Sequence, residues 1–359
     1  MEQNKTEKKP TKGNGIAKKI LMVLISLGVM GLIAALDPNV SSMGDALSRA
    51  KPWWLLCALL CAVMSYVFNM LMHLDICRIA DINMTFFECA TTTMVGFFYN
   101  ALTPMQIGGQ PMQVLQMRGY GVPVGSATSI TLIKYMSWQF AVVLIATVGM
   151  IVLGQPIALL GTAVRTLVLI GYGINVFVFV FVTVATLNPK WLTGIGDRLL
   201  AFLKRHRLIR KEKTYEKAAA SWGRIMNDYA MAVKLMFKRK LRGALPLLFF
   251  GFMELACFLS VTYFIYRGFG LSEYPAHHVI LLQSLLSMAV SFIPIPGGAG
   301  ASEGGFYLVF GSLFGMALRF PSMLLWRMLT YYLNIILGIV FILADGFRKN
   351  RRRLPKQEA

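Results

Sequence analysis

Residues 291–305 read SFIPIPGGAGASEGG, and this stretch, Ser291 to Gly305, interrupts a run of apolar residues with two prolines, five glycines and a glutamate. Proline removes a backbone N–H and glycine frees the chain from helical dihedrals, so Pro294, Pro296, Gly297, Gly298 and Gly300 end a helix where a membrane helix ought to run. Peptide groups released in hydrocarbon survive only if protein buries them or a wet cavity receives them. A break at that depth therefore points to a polar or charged group bound near the midplane.

The rest of the chain supplies the class. Of 359 residues 56% are hydrophobic and only 14% charged, and the apolar residues fall in blocks of about twenty, the length that spans a bilayer as a helix. The expectation is an all-α, polytopic membrane protein. The net charge of +20, from 36 basic and 16 acidic residues, lies mostly in the N-terminal tail, one long loop and the C-terminal tail. That clustering fits the positive-inside rule, and with no recognition fold beside it, nucleic-acid binding is not expected. Cys57, Cys61, Cys77, Cys89 and Cys257 sit in or beside apolar segments and read as small core residues, not as disulfides or metal ligands.

Taken in order, residues 1–19 form a lysine-rich cytoplasmic tail, and residues 20–36 an apolar anchor whose exit lacks a small-residue cleavage site. Residues 53–73 cross back, with Trp53 and Trp54 as interfacial anchors. From Phe86 the chain re-enters and breaks at Thr103-Pro104 and again over Met105 to Pro111. The eight residues from there to Arg118 cover only about 12 Å, too little to cross, so 86–119 reads as a re-entrant hairpin. Residues 126–153 and 166–187 are full crossings that complete a first half, 20–187.

Residues 188–243 form a basic cytoplasmic loop. Within it Trp222, Ile225, Met226, Tyr229, Val233, Met236 and Phe237 make an apolar stripe at helical spacing, which lies either on the anionic inner leaflet or on the protein's own inner face. A second half, 244–344, repeats the order: crossing 245–266, broken hairpin 278–318, crossing 323–343. Residues 345–359 are a basic tail. The reading is six full transmembrane helices and two re-entrant hairpins in an inverted repeat, with both termini cytoplasmic. Eight crossings would give the same parity.

Two cations lie inside apolar helices, Lys134 after the first hairpin and Arg327 after the second. Each costs roughly 2.5 to 3.5 kcal/mol at a helix centre, so each needs a partner or a purpose. Glu254 and Glu303 are the available counter-charges. One reading pairs them and merely holds helices together. The other joins the cations to exposed N–H groups at Gly108, Gly109, Gly297, Gly298 and Gly300 as a site for a phosphate. Arg327, near its helix start, is placed to snorkel. Asn100, Gln106, Gln110 and Gln113 are candidate headgroup donors or satisfy the backbone at the break. No nucleophile and base pair, nucleotide loop or metal-ligand cluster is visible in the sequence, which argues against catalysis and a cofactor.

These residues carry a resemblance. Thr103-Pro104 with Gly108-Gly109-Gln110-Pro111-Met112-Gln113, Pro296-Gly297-Gly298 with Gly300 and Glu303-Gly304-Gly305, and Trp326-Arg327 with Thr330-Tyr331-Tyr332 resemble the lysylphosphatidylglycerol synthase transmembrane, flippase-like family from about Ile20 to Asp345. The resemblance implies a bacterial cell-membrane location and movement of an anionic, aminoacylated or polyprenyl-phosphate lipid between leaflets. In bifunctional relatives a cytosolic domain lysinylates phosphatidylglycerol and confers resistance to cationic peptides. Here only residues 345–359 follow the last helix, so lysyltransferase activity is the alternative, alone or with a soluble synthase partner, and a non-transporting scaffold is the third reading. Gln110 departs from the glutamate some relatives carry, which puts proton coupling at that position in doubt.

Overall fold

Every regular element among the described residues is helical. The computed structural model describes residues 13–153, 162–206, 212–238, 241–295 and 297–353. The outer parts of both basic tails, Pro296 of the second break, and the loop cations Arg207, Arg210, Lys211, Arg239 and Lys240 lie outside them.

The first half runs α1 (Gly13–Leu36), a short α2 (Met43–Ser48), α3 (Pro52–Ile79), α4 (Phe86–Leu102), α5 (Gly109–Arg118), α6 (Val124–Val152) and α7 (Thr162–Leu187). Two helices of the basic loop follow, α8 (Pro189–Arg205) and α9 (Glu212–Lys238). The second half runs α10 (Leu241–Gly268), α11 (Ala276–Val290), α12 (Ala301–Arg327), a π turn over Met328–Tyr332 and α13 (Leu333–Arg353). Five segments are long and apolar enough to cross a membrane: Pro52–Ile79, Val124–Val152, Val164–Leu187, Leu245–Gly268 and Ala301–Asn350. α1, expected as another crossing, contributes the shorter apolar helix Ser26–Leu36.

Local signals place the broken elements. Thr85 and Glu88 form a reciprocal capping box that starts α4, with Glu88 N donating to Thr85 Oγ1 and Thr85 N to Glu88 Oε2,. α5, of 10 residues, is only about 15 Å long, and α11, of 15 residues, about 22 Å; both fall short of a hydrocarbon core of about 30 Å. α4 and α5 fold back on each other: Gly109 N donates to Asn100 Oδ1 at 2.8 Å. α12 is bent at Gly315, whose φ of 71° and ψ of 169° no helix accommodates,. The bend is a full reversal, because Phe306 stacks on Trp326 with centroids 5.2 Å apart.

The two halves interlock. α3 lies antiparallel along α10, from Trp54 against Phe264 to Phe68 against Phe249, with Lys51 N bonded to Gly268 O at 2.7 Å. α4 of the first hairpin packs on α13, where Gly338 admits Phe98 and Phe87 stacks on Phe341. α11 of the second hairpin packs on α6, where Gly149 faces Leu281 and Ser284. Each hairpin thus rests on the spanning helix that follows the other.

In the loop, the structure takes one of the two placements open for the apolar stripe. The apolar stripe of α9 does not lie open to lipid: Trp222 sits over Gly196 of α8, and Met226 and Tyr229 are buried against Leu132 and Ile133 of α6. The close approach is made by Gly125, where a Cβ would stand 2.4 Å from Ile225 O. Val233, Met236 and Phe237 have side chains outside the described set. The helix with an exposed apolar stripe is instead α8, through Trp191, Ile195, Leu199 and Phe202.

Candidate functional site

Both breaks meet. Gly297, with a φ of 59°, sits where an added Cβ would lie 2.8 Å from Ala101 O at the end of α4 and 2.3 Å from the Tyr331 ring. The Tyr331 hydroxyl donates to the same Ala101 carbonyl at 3.2 Å. The π turn after Arg327 carries Tyr331 to this point, and such turns recur at functional positions in helices. The first break is built differently from the second. Its two left-handed residues, Met105 at φ 54° and Gln106 at φ 55°, are not glycines, and each pays the steric cost that glycine avoids.

Around this junction lies a cavity of about 490 Å³. Gln106, Gln110 and Gln113 line it from the first hairpin, Ser291 and Gly297 from the second, and Asn69, Lys134, Gln139, Asn175, Glu254 and Arg327 from the spanning helices. Gly108, Gly109, Gly298, Gly300 and Glu303 are not part of the wall and stand behind it. Aromatic rings of Tyr66, Tyr135, Trp138 and Tyr331 complete the lining.

The charged residues divide into two unlike sets. Arg327 is 5% exposed and does not snorkel; its Nε donates to Glu303 Oε1 at 2.8 Å, and its terminal nitrogens reach Gly298 O at 3.3 Å and Gly297 O at 3.5 Å. The other oxygen of Glu303 accepts from Gly300 N at 2.7 Å. Arg327 and Glu303 therefore brace the second break. Lys134 and Glu254 do not touch directly. Asn69 stands between them, accepting from Lys134 Nζ at 3.1 Å and donating to Glu254 Oε1 at 2.8 Å.

Four of the five glycine amides named as candidate anion donors are engaged internally. Gly108 N donates to Thr103 Oγ1 at 2.9 Å, Gly109 N to Asn100, Gly298 N to Ile295 O at 3.0 Å and Gly300 N to Glu303. The groups left for a ligand are side chains. Gln110 Oε1, Gln113 Oε1, Gln139 Oε1, Glu254 Oε2 and Trp326 Nε1 are buried on this cavity without a protein partner, and such groups call for a ligand or water. Of the three donors on an ammonium, Asn69 takes one from Lys134,.

Asn69, Gln139 and Asn175 were missed from the sequence. Gln139 donates to Asn175 Oδ1 at 2.8 Å, and Asn175 donates to Ser291 Oγ at 3.3 Å, tying α6 and α7 to the second hairpin tip. Amides inside apolar helices were the available signal.

Two helix breaks that meet at one polar cavity, among five helices long and apolar enough to cross a membrane, define a multi-pass membrane protein with a polar site inside its helical bundle. The chain belongs to the family described as the lysylphosphatidylglycerol synthase TM region, which matches residues 19–338. It is also similar to a "UPF0104 membrane protein" of Archaeoglobus fulgidus, 23% identical over 333 residues that cover 89% of this chain and 94% of the relative.

Proposed function

We propose that the protein moves a lipid between the leaflets of the cell membrane, its headgroup passing through the cavity where the two hairpins meet. The hairpins dip to mid-depth from opposite faces, and both termini are cytoplasmic. Lys134 meets the lipid phosphate, while Arg327 and Glu303 hold the second tip in shape. The lipid is anionic or aminoacylated, or a polyprenyl phosphate. Glu254 Oε2 and the glutamine oxygens offer acceptors to an amine where the headgroup carries one.

The observation that carries this reading is the shared cavity: both breaks, the cation Lys134 and several unpartnered polar atoms face one space. The family match supports the membrane setting. Exposed Trp191, Ile195, Leu199 and Phe202 on α8, with Lys190, Arg198, Lys204 and Arg205 on the same helix, support contact with anionic lipid of the inner leaflet. A single residue, Asn188, separates α7 from α8, so α8 leaves directly from the end of a candidate span, where interfacial helices lie.

The test is leaflet exchange in proteoliposomes loaded in turn with fluorescent phosphatidylglycerol, lysyl-phosphatidylglycerol and a polyprenyl phosphate. Wild type accelerates exchange of at least one, and Lys134→Met abolishes it while keeping the folded elution profile. Exchange by Lys134→Met at the wild-type rate removes Lys134 from the site. New lysyl-lipid in a host expressing only this chain favours the lysyltransferase instead.

A further inference from the structure

Outside the cavity, α3 and α4 bring together a second group of chemically able side chains. His73 and Cys77 lie one turn apart on α3, and Cys89 lies in the first turn of α4. A ring nitrogen of His73 and the two sulfurs all fall within 4.8 Å of one another. The three residues are 0%, 1% and 0% exposed. Met84, in the connection between the helices, places its thioether 3.8 Å from Cys77 Sγ.

Apolar packing accounts for cysteine and methionine here but not for the imidazole. His73 Nε2 is buried without a protein partner, whereas Nδ1 lies 3.4 Å from Thr93 Oγ1, the outer hydrogen bond that orients a ligating histidine. An ion about 2.3 Å from each sulfur spans donors up to about 4.6 Å apart, close to the separation seen. A surface pocket lined by Leu74, Cys77, Asp81 and Met84 lies beside two of the sulfurs.

We infer that His73, Cys77 and Cys89, assisted by the Met84 thioether, bind a thiophilic monovalent ion, Cu(I). Thiolate and thioether donors select Cu(I), and a thioether is a poor ligand for harder divalent ions. On binding, each thiol releases its proton. Two thiolates and one Cu(I) leave a single negative charge, and Lys134, near enough to interact electrostatically with all three residues, balances it. The site thereby adjoins the transport cavity through one shared lysine, yet its existence does not depend on what that cavity carries.

The full-length protein in detergent is titrated with Cu(I) under reducing conditions against a chromogenic Cu(I) chelator, with Zn(II) in a parallel arm. The expected result is one Cu(I) per chain, with at least two sulfurs and a nitrogen in its X-ray absorption spectrum. Cys77→Ser with Cys89→Ser lowers affinity by more than about 100-fold, and His73→Ala by about 10- to 100-fold, on the scale of ligand and outer-shell losses at metal sites. Cys57→Ser, Cys61→Ser and Cys257→Ser together leave binding unchanged. Should the paired serine variant misfold, Met84→Leu, which keeps the volume, removes the thioether signal from the wild-type spectrum. Absence of Cu(I) binding, equal binding by the paired serine variant, loss on removing the other three cysteines, or binding of Zn(II) alone overturns the assignment.

Discussion

Arg327 and Glu303 stand 24 positions apart and meet at 2.8 Å, with 6% and 0% of their side chains exposed. On a straight helix that separation would be about 36 Å, so the pair exists only because the chain reverses at Gly315. Both partners also hold backbone groups of the second break, which makes the ion pair part of the hairpin's structure. Arg327→Gln leaves a buried carboxylate unpaired and is expected to destabilise the protein by about 3–5 kcal/mol. The double variant Arg327→Gln, Glu303→Gln recovers part of that loss. Thermal unfolding in detergent measures both, and a single variant within about 0.5 kcal/mol of wild type, the range of ordinary surface changes, would contradict the bracing role.

Gly297 has both a left-handed backbone and no room for a side chain, being wedged between Tyr331 and Ala101 O. Gly297→Ala is expected to cost about 1–3 kcal/mol from the backbone alone, and more from crowding. Gly173 on α7 has nothing within 4 Å, so Gly173→Ala is expected to be neutral or stabilising by up to about 1 kcal/mol. Comparing the two unfolding midpoints separates tip geometry from general intolerance of alanine.

Asn69 joins Lys134 to Glu254, and Asn69→Leu keeps its size while cutting both bonds. Hydrogen bonds to charged groups contribute about 1.5–3 kcal/mol. In the leaflet-exchange assay that tests the proposed function, the rate is therefore expected to fall about tenfold or more, with the protein still monodisperse on gel filtration. An unchanged rate would show that the lysine needs no such support.

The exposed stripe of α8 predicts dependence on lipid charge. In nanodiscs, replacing anionic with zwitterionic lipid is expected to raise amide hydrogen exchange across Pro189–Arg205 while leaving Met226 to Tyr229 of α9 protected. Leu199→Glu with Phe202→Glu should give the same rise in anionic discs. Equal exchange in every condition rules out lipid contact by this helix.

Class and segment order were legible because hydropathy and the Pro/Gly clusters report directly on helix length and interruption. Ser291 to Gly305 and Met105 to Pro111 mark the breaks, and Lys134 and Arg327 were noticed because charge inside an apolar helix is expensive wherever it lies. What stayed hidden depends on which side chains the folded chain brings together. Asn69 as the bridge between Lys134 and Glu254 is a three-helix arrangement that no spacing encodes. The stripe of α9 and that of α8 are both apolar rows at helical spacing; Gly125 and Gly196, by admitting α9 and Trp222, go with the covering of the first. The engaged amides of Gly108, Gly109, Gly298 and Gly300 likewise follow from Thr103, Asn100, Ile295 O and Glu303 folding back on them.

Met105 and Gln106 hold left-handed dihedrals with side chains attached, while Gly297, Gly298 and Gly300 do so at no steric penalty,. The two tips are thus mechanically unequal. The first stores about 1–3 kcal/mol of backbone strain at each of Met105 and Gln106,; the second is relaxed in its backbone and is pinned from outside by Arg327, Glu303 and Tyr331. Glycine at position 105 or 106 would therefore relieve the first tip, whereas the second has no such strain to lose,.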